Sequence, residues 1–149
     1  MRKYASNNQG AIMANITLDP YIFFKGQCRE AMEFYKNIFG GELHLQTYGE
    51  IPGDTSEGDK KNWIMHAQLA GDIKLYGSDT EQASPAAKKI SLCLGGKDEG
   101  ALHKIFEGLS EGGEVKSALK KEFWGDTFGS LTDKYGVEWM VNIAAEKSE

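Results

Sequence analysis

The chain has little of what would tie it to a disulfide framework, a membrane or a nucleic acid. Its 149 residues include two cysteines, three histidines and three prolines. Cys28 and Cys93 stand far apart and form no CxxC or Cys/His spacing. Neither a disulfide scaffold nor a structural zinc site follows from them, and a reducing, cytoplasmic setting is expected. No apolar run approaches 18 residues, and no apolar segment follows Arg2-Lys3, so neither secretion nor a membrane span is expected. An excess of positive charge is also missing. The formal net charge is −5 and the pI near 5.3. Lys60-Lys61, Lys88-Lys89 and Lys120-Lys121 are isolated pairs. Nucleic acids and anionic membranes need concentrated Lys and Arg, so neither is expected as a partner.

What is present suits a globular interior, with 40% apolar and 11% aromatic residues in a chain of single-domain length. Residues 1–15 are polar and aperiodic and are expected to form a flexible leader, with Met13 as an alternative start. Residues 16–145 are expected to form one domain: module one at 16–78, a linker at 79–87 and module two at 88–145.

The modules come from a repeated order of patterns. A β-branched and aromatic run at Ile16 to Phe24 predicts a strand. Ala31, Phe34, Tyr35, Ile38 and Phe39 recur at helical spacing, and Gly40-Gly41 supplies the stop. Alternation at Glu42 to Tyr48, Trp63 to Ala70 and Asp72 to Tyr76 predicts three more strands. The second half repeats this with a strand at Lys89 to Leu94 and a helix carrying Ala101, Leu102, Ile105, Phe106 and Leu109. Asp98 is its expected N-cap. Gly112-Gly113-Glu114-Val115 then matches Gly40-Gly41-Glu42-Leu43. Strands at Glu114 to Phe123, Thr127 to Asp133 and Val137 to Ile143 complete the set. A repeat of roughly 65 to 70 residues that occurs twice reads as a duplication, too long for a solenoid unit. The fold class is therefore α+β, with two tandem βαβββ modules forming a curved mixed sheet around a central cleft.

Period-two alternation assigns faces. Met65, Ala67, Leu69, Ile73, Leu75, Ile90, Leu92, Leu94, Val137, Trp139 and Val141 form the apolar side expected to pack on helices. His66, Gln68, Lys74, Tyr76, Lys89, Ser91, Cys93, Glu138, Met140 and Asn142 fall on the other side. A mixed polar and aromatic face is either solvated or lines a cavity, and two such sheets curved together would line one.

The order and spacing of several short segments resemble the PhnB-like branch of the vicinal oxygen chelate superfamily, the glyoxalase/bleomycin-resistance fold. They are Phe23-Phe24-Lys25-Gly26, Glu30 to Lys36, Phe39-Gly40-Gly41-Glu42-Leu43, Met65 to Leu69 and Ser91-Leu92. The most specific run from Phe123-Trp124-Gly125-Asp126-Thr127-Phe128-Gly129 through Asp133 to Asn142. The resemblance implies paired modules, a cleft between them and a homodimer. Catalytic members of the wider superfamily hold a divalent metal with His, Glu or Gln on cleft-facing strands. Carried onto this chain, those positions fall at Asp19 or Pro20, near Tyr76, at Lys89 and at Met140. An ammonium and a thioether do not suit a hard divalent ion. No metal site, no cofactor and no metal-driven isomerase or dioxygenase chemistry is therefore expected. The demethylubiquinone methyltransferase label that accompanies this family finds no nucleotide-loop pattern at Gly95 to Gly100, where Asp98 and Glu99 would repel phosphate.

The face assignment, together with the resemblance at the Phe123 to Gly129 run, puts Tyr21, Phe23, His66, Gln68, Tyr76, Cys93, Trp124, Asp126, Glu138 and Met140 forward as ligand-binding candidates. Each has a plainer reading. His66 is an acid/base or donor in the cavity, or a histidine satisfied by a neighbouring strand. Tyr21, Phe23 and Tyr76 form an aromatic cage or pack a core or dimer contact. Trp124, Asp126 and Phe128 wall a cavity or turn a corner on Gly125 and Gly129. Glu138 binds a cation or pairs with Lys89 or Lys74. Cys28, near a helix start, is a lowered-pKa thiol or an inert one. Two functions follow: a metal-independent module binding a small organic molecule in the cleft, or a glyoxalase-type enzyme. The enzyme would use a relocated metal or a His66/Glu138 acid–base pair.

Overall fold

The computed structural model describes residues 17–83 and 90–145. The expected leader, residues 84–87 of the expected linker and Lys89 lie outside the described residues. Module one runs β1 (Tyr21–Phe24), α1 (Cys28–Phe39), β2 (Glu42–Thr47), β3 (Ile64–Ala70) and β4 (Leu75–Asp79). Module two runs β5 (Leu92–Gly96), α2 (Glu99–Ser110), β6 (Glu114–Lys121), β7 (Thr127–Thr132) and β8 (Glu138–Ile143). Each module makes its own four-stranded mixed sheet, ordered β1-β4-β3-β2 and β5-β8-β7-β6. In both, the first and last strands pair in parallel and the other neighbours are antiparallel. The duplication expected from the sequence is thus reproduced strand for strand.

The repeated Gly-Gly pairs have a steric reason. Gly40 closes α1 at φ +77°, its N–H donating to the Lys36 carbonyl at 2.8 Å. Gly41 follows at φ +97°, where a Cβ would sit 2.6 Å from the Ala70 carbonyl oxygen. At the matching place in module two, a Cβ on Gly113 would sit 2.3 Å from the Thr132 carbonyl oxygen. Only glycine lets the chain leaving each helix pass that close to the neighbouring strand. Asp98 caps α2 as expected, accepting from Ala101 N–H at 3.1 Å.

Several expected boundaries move. β1 starts at Tyr21, after Pro20, whose ring fixes φ and removes a ladder donor. β5 starts at Leu92, so Ile90 lies outside the strand with 77% of its surface exposed and does not join the apolar side. Met65 also leaves the apolar side. A bulge pairs Gln46 with His66 but Thr47 with Ile64, so Met65 is the extra residue and buried Ile64 takes its place. β4 runs on to Asp79, one residue into the expected linker.

One continuous core joins the modules. Helix α1 buries Cys28 and Met32 close to Gly77 of β4. Its other side reaches module two, where Tyr35 and Phe39 pack their rings on Trp139 at 5.8 and 5.7 Å, and Phe34 on Tyr135 at 5.4 Å. At the centre is Asp133, a buried carboxylate. It accepts from the Tyr35 hydroxyl at 2.6 Å, Trp139 Nε1–H at 2.8 Å, and the N–H groups of Tyr135 and Val137 at 2.9 and 3.0 Å. Four donors satisfy the charge that burial would otherwise penalise.

Candidate functional site

The outer face of the module-one sheet is built in cross-strand rows. Register places His44, Gln68, Tyr76 and Tyr21 in one row, and pairs Gln46 with His66 and Phe23 with Ser78 in the next. Because β1 and β4 are parallel and short, their aromatic residues are brought together with His66 of β3. Tyr21 and Phe23 stack with centroids 5.1 Å apart at 29°, and Tyr21 and Tyr76 are 6.0 Å apart at 15°. His66 lies 5.7 Å from both tyrosine rings. The Tyr21 hydroxyl and His66 Nδ1 are hydrogen-bonded at 3.0 Å. Tyr21 is 42% and Phe23 58% exposed, while His66, Gln68 and Tyr76 are half-buried. Five of the expected site residues therefore share one surface. Large flat rings left partly open to solvent on a sheet face are suited to stacking.

The remaining candidates sit on module two. Cys93 and Met140 are register partners and share a row with Ser130 and Ser117. This face is made of small and flexible groups. Trp124, half exposed, packs edge-on with Phe123 at 5.0 Å and with Phe128 at 6.3 Å. Asp126 accepts from Asn142 Nδ2 at 3.0 Å and Ala145 N–H at 2.9 Å, which ties the exit of β8 to the turn before β7. Glu138 is half-buried at the start of β8, opposite Thr132. The expected partner Lys89 lies outside the described residues.

Two carboxylates that sequence reasoning did not single out organise the site from below. Asp79, at the end of β4, accepts from Gly26 and Cys28 N–H at 2.7 and 3.0 Å and from Ile64 N–H at 2.9 Å. It supplies the cap that Gln27 does not give α1, and it anchors the bulged start of β3 from which His66 projects. Asp133 does the equivalent work for the β7–β8 turn. Its signal was present as Asp133-Lys134-Tyr135-Gly136, an Asp-x-x-Gly turn in which Gly136 N–H bonds the Asp133 carbonyl at 2.9 Å. The cysteine at the helix start is not activated. Burial first, then Asp79, pushes the Cys28 thiol up to about 12 against the smaller pull of Arg29.

A separate depression of about 460 Å³ lies on the helix side of module one, lined by Gly26, Arg29, Glu30, Glu33, Asp59 and Trp63 among others. Asp79 already takes the helix-start N–H groups there. Carboxylates outnumber the one guanidinium, so a second anion has no favourable seat.

The positions that the resemblance assigns to metal ligands offer a hard divalent ion at most one carboxylate. Of those described, they hold Asp19 or Pro20, a phenol at Tyr76 and a thioether at Met140. Among the described residues no group of three or more His, Cys, Asp or Glu side chains converges as a metal cage. Among them, too, no helix is long and apolar enough to cross a membrane.

Comparison with known proteins agrees with this architecture. A family model described as 3-demethylubiquinone-9 3-methyltransferase matches residues 16–142. Protein YjdN of Escherichia coli K12 is 28% identical, the alignment covering 87% of this chain and 97% of that one. The crystal structure of PA1353 from Pseudomonas aeruginosa is 36% identical with a TM-score of 0.76, covering 89% of this chain and 100% of that one. The PhnB protein of Bacillus cereus is 24% identical with a TM-score of 0.64, covering 86% and 99%. At the level of fold alone, a bleomycin-binding protein solved with bleomycin superposes with a TM-score of 0.51 at 18% identity, covering 86% and 98%.

Proposed function

Because the chain belongs to the family described as 3-demethylubiquinone-9 3-methyltransferase, as a PhnB-like protein of the vicinal oxygen chelate fold, we propose that it binds a small organic molecule without a metal. The ligand is held in the inter-module cleft against the outer face of module one. The observation that carries this reading is the cluster of Tyr21, Phe23, His66 and Tyr76, with neighbouring ring centroids 5.1 to 6.0 Å apart. The bleomycin-binding neighbour supports it at the level of fold, since its structure was solved with its drug bound. Metal independence rests on the donor set: a lysine, a thioether and a phenol replace the usual imidazoles and carboxylates. The expected homodimer and cytoplasmic setting complete the proposal. Light scattering on the purified chain checks the first.

Methyl transfer is not part of this proposal. Each module is a mixed βαβββ unit, and the β5–α2 connection carries Asp98 as a helix cap rather than an open phosphate cradle. An enzymatic reading retains one supporting observation, the Tyr21–His66 hydrogen bond, which would orient the imidazole for proton transfer. The expected second member of that pair, Glu138, belongs to the other sheet. Screening planar aromatic and amphiphilic compounds by thermal shift tests the binding proposal. A rise in melting temperature that is lost in Tyr21→Ala supports it, and a flat response across the screen removes it.

A further inference from the structure

Resting on the binding reading above, we infer that the Tyr21–His66 pair selects the chemical class of the ligand: a planar aromatic compound carrying a hydrogen-bond acceptor at its edge, such as a carbonyl or carboxylate. An aromatic ammonium is disfavoured. A phenol and an imidazole joined at Nδ1 present a small set of groups outward. If the phenol donates to Nδ1, the imidazole Nε2–H is left as a donor. If Nδ1–H donates to the phenol oxygen, the phenol O–H is left as a donor. If the imidazole is protonated, both are donors. The pair thus offers a donor in every state. A strong acceptor, the Nε2 lone pair, appears in only one of the three.

The surroundings add to this. Among the described residues, neither the Tyr76 hydroxyl nor the Gln68 amide has a hydrogen-bond partner. Tyr76 stacks on Tyr21 at 15°, with ring centroids 6.0 Å apart, so its ring continues the same flat surface. The two rows holding His44, Gln68, Tyr76 and Tyr21, and Gln46, His66, Ser78 and Phe23, contain no carboxylate and no lysine or arginine. Glu42 lies beyond them, exposed and 3.3 Å from His44. Stacked rings supply the flat apolar contact, the Tyr21–His66 pair supplies a donor in every state, and the Tyr76 hydroxyl and Gln68 amide add donors that can also accept. Leaving such half-buried donors facing a ligand without an acceptor costs binding free energy, which gives the selection.

Three probes on one carbon frame test the inference: 2-acetylnaphthalene, 2-naphthoate and 2-naphthylmethylammonium. Affinity is measured by isothermal titration with the full chain at pH 7.5. The chain's net charge of −5 favours the ammonium at long range, so local donors must reverse that order. The expected result is that ketone and carboxylate bind at least about tenfold tighter than the ammonium. In the Tyr21→Phe/His66→Phe double variant, which keeps an aromatic ring at both positions and removes all three heteroatoms, the preference is expected to fall below about threefold with the ammonium's affinity unchanged. Tyr21→Phe alone, with melting curves to establish folding, provides the intermediate point. Equal binding of all three probes, preference for the ammonium, or undiminished preference in a folded variant overturns the inference and leaves the binding reading standing. No binding by any probe overturns both.

Discussion

The two modules share strand order, helix placement and even the glycine pair behind each helix, yet their outer faces differ in kind. Module one presents Tyr21, Phe23, His66 and Tyr76, stacked and joined by a hydrogen bond. Module two presents Cys93, Met140, Ser130 and Ser117 in the row through β8, with its aromatic residues gathered near the β6–β7 turn. Their supports differ in the same way. Asp79 knits module one internally, whereas Asp133 bonds Tyr35 of the opposite module. Duplication preserved the interior, where backbone ladders and close approaches allow few alternatives. It left the outward residues free to diverge, because alternation separates them from the core. The contrast puts the proposed recognition surface on module one and the clamp between modules on module two.

Removing the clamp is expected to have the largest effect. Asp133→Ala strips four donors of their acceptor, two of them on the buried Tyr35 and Trp139. It should destabilise the fold by roughly 4 kcal/mol in urea melts. Asp79→Ala should cost about 3 kcal/mol, and hydrogen exchange should rise first in module one. Full stability in Asp133→Ala would break the assignment of the clamp to module two.

The thiols sharpen the same contrast. Cys93 is exposed and Cys28 buried. An aromatic disulfide reagent should therefore titrate one thiol at once and the other about 100-fold or more slowly until urea is added. The thiol of Cys28 ionises near its ordinary 9.0 when unfolded and near about 12 when folded. Between those values the unfolded chain holds fewer protons, so stability is full below pH 9 and declines as pH rises through that window. Tyr35, raised by burial and by Asp133, acts in the same direction. Cys28→Ala should flatten part of that decline, measured as urea midpoints at pH 8, 9.5 and 10.5.

Smaller effects separate the outer faces. For an aromatic ligand found by thermal shift, Tyr21→Ala or Tyr76→Ala should weaken binding about tenfold, and Met140→Ala less than about threefold. Titrating tag-free protein with Zn²⁺, Ni²⁺ or Mn²⁺ should give no tight one-to-one binding. A stoichiometric site would overturn metal independence.

Much of this was legible in the residues. Helical spacing, the two Gly-Gly stops and period-two alternation define both modules, and the Asp98 cap falls where the pattern places it. What escaped depended on pairing between strands. Met65 and Ile64 exchange faces because a bulge forms against β2, and alternation within β3 alone carries no sign of it. The Tyr21–His66 bond joins residues 45 apart and depends on the parallel β1–β4 register, which no local pattern encodes. Asp79 reads as part of the linker and Asp133 as an ordinary strand-end acid until the N–H groups they collect are seen. Asp133 to Trp139, part of the run from Phe123 to Asn142 that carried much of the family resemblance, proves to be a device for joining modules.

The central claim, that module one's ring face is the recognition surface, is tested most directly by NMR. Chain with labelled aromatic rings and methionine methyls is titrated with 2-naphthoate. Tyr21, Phe23, His66 and Tyr76 signals are expected to move together on one binding curve, with a smaller response at Met140. Shifts confined to Trp63 and its neighbours in the helix-side depression, or to Phe123 and Trp124, with the four rings unmoved, would contradict it.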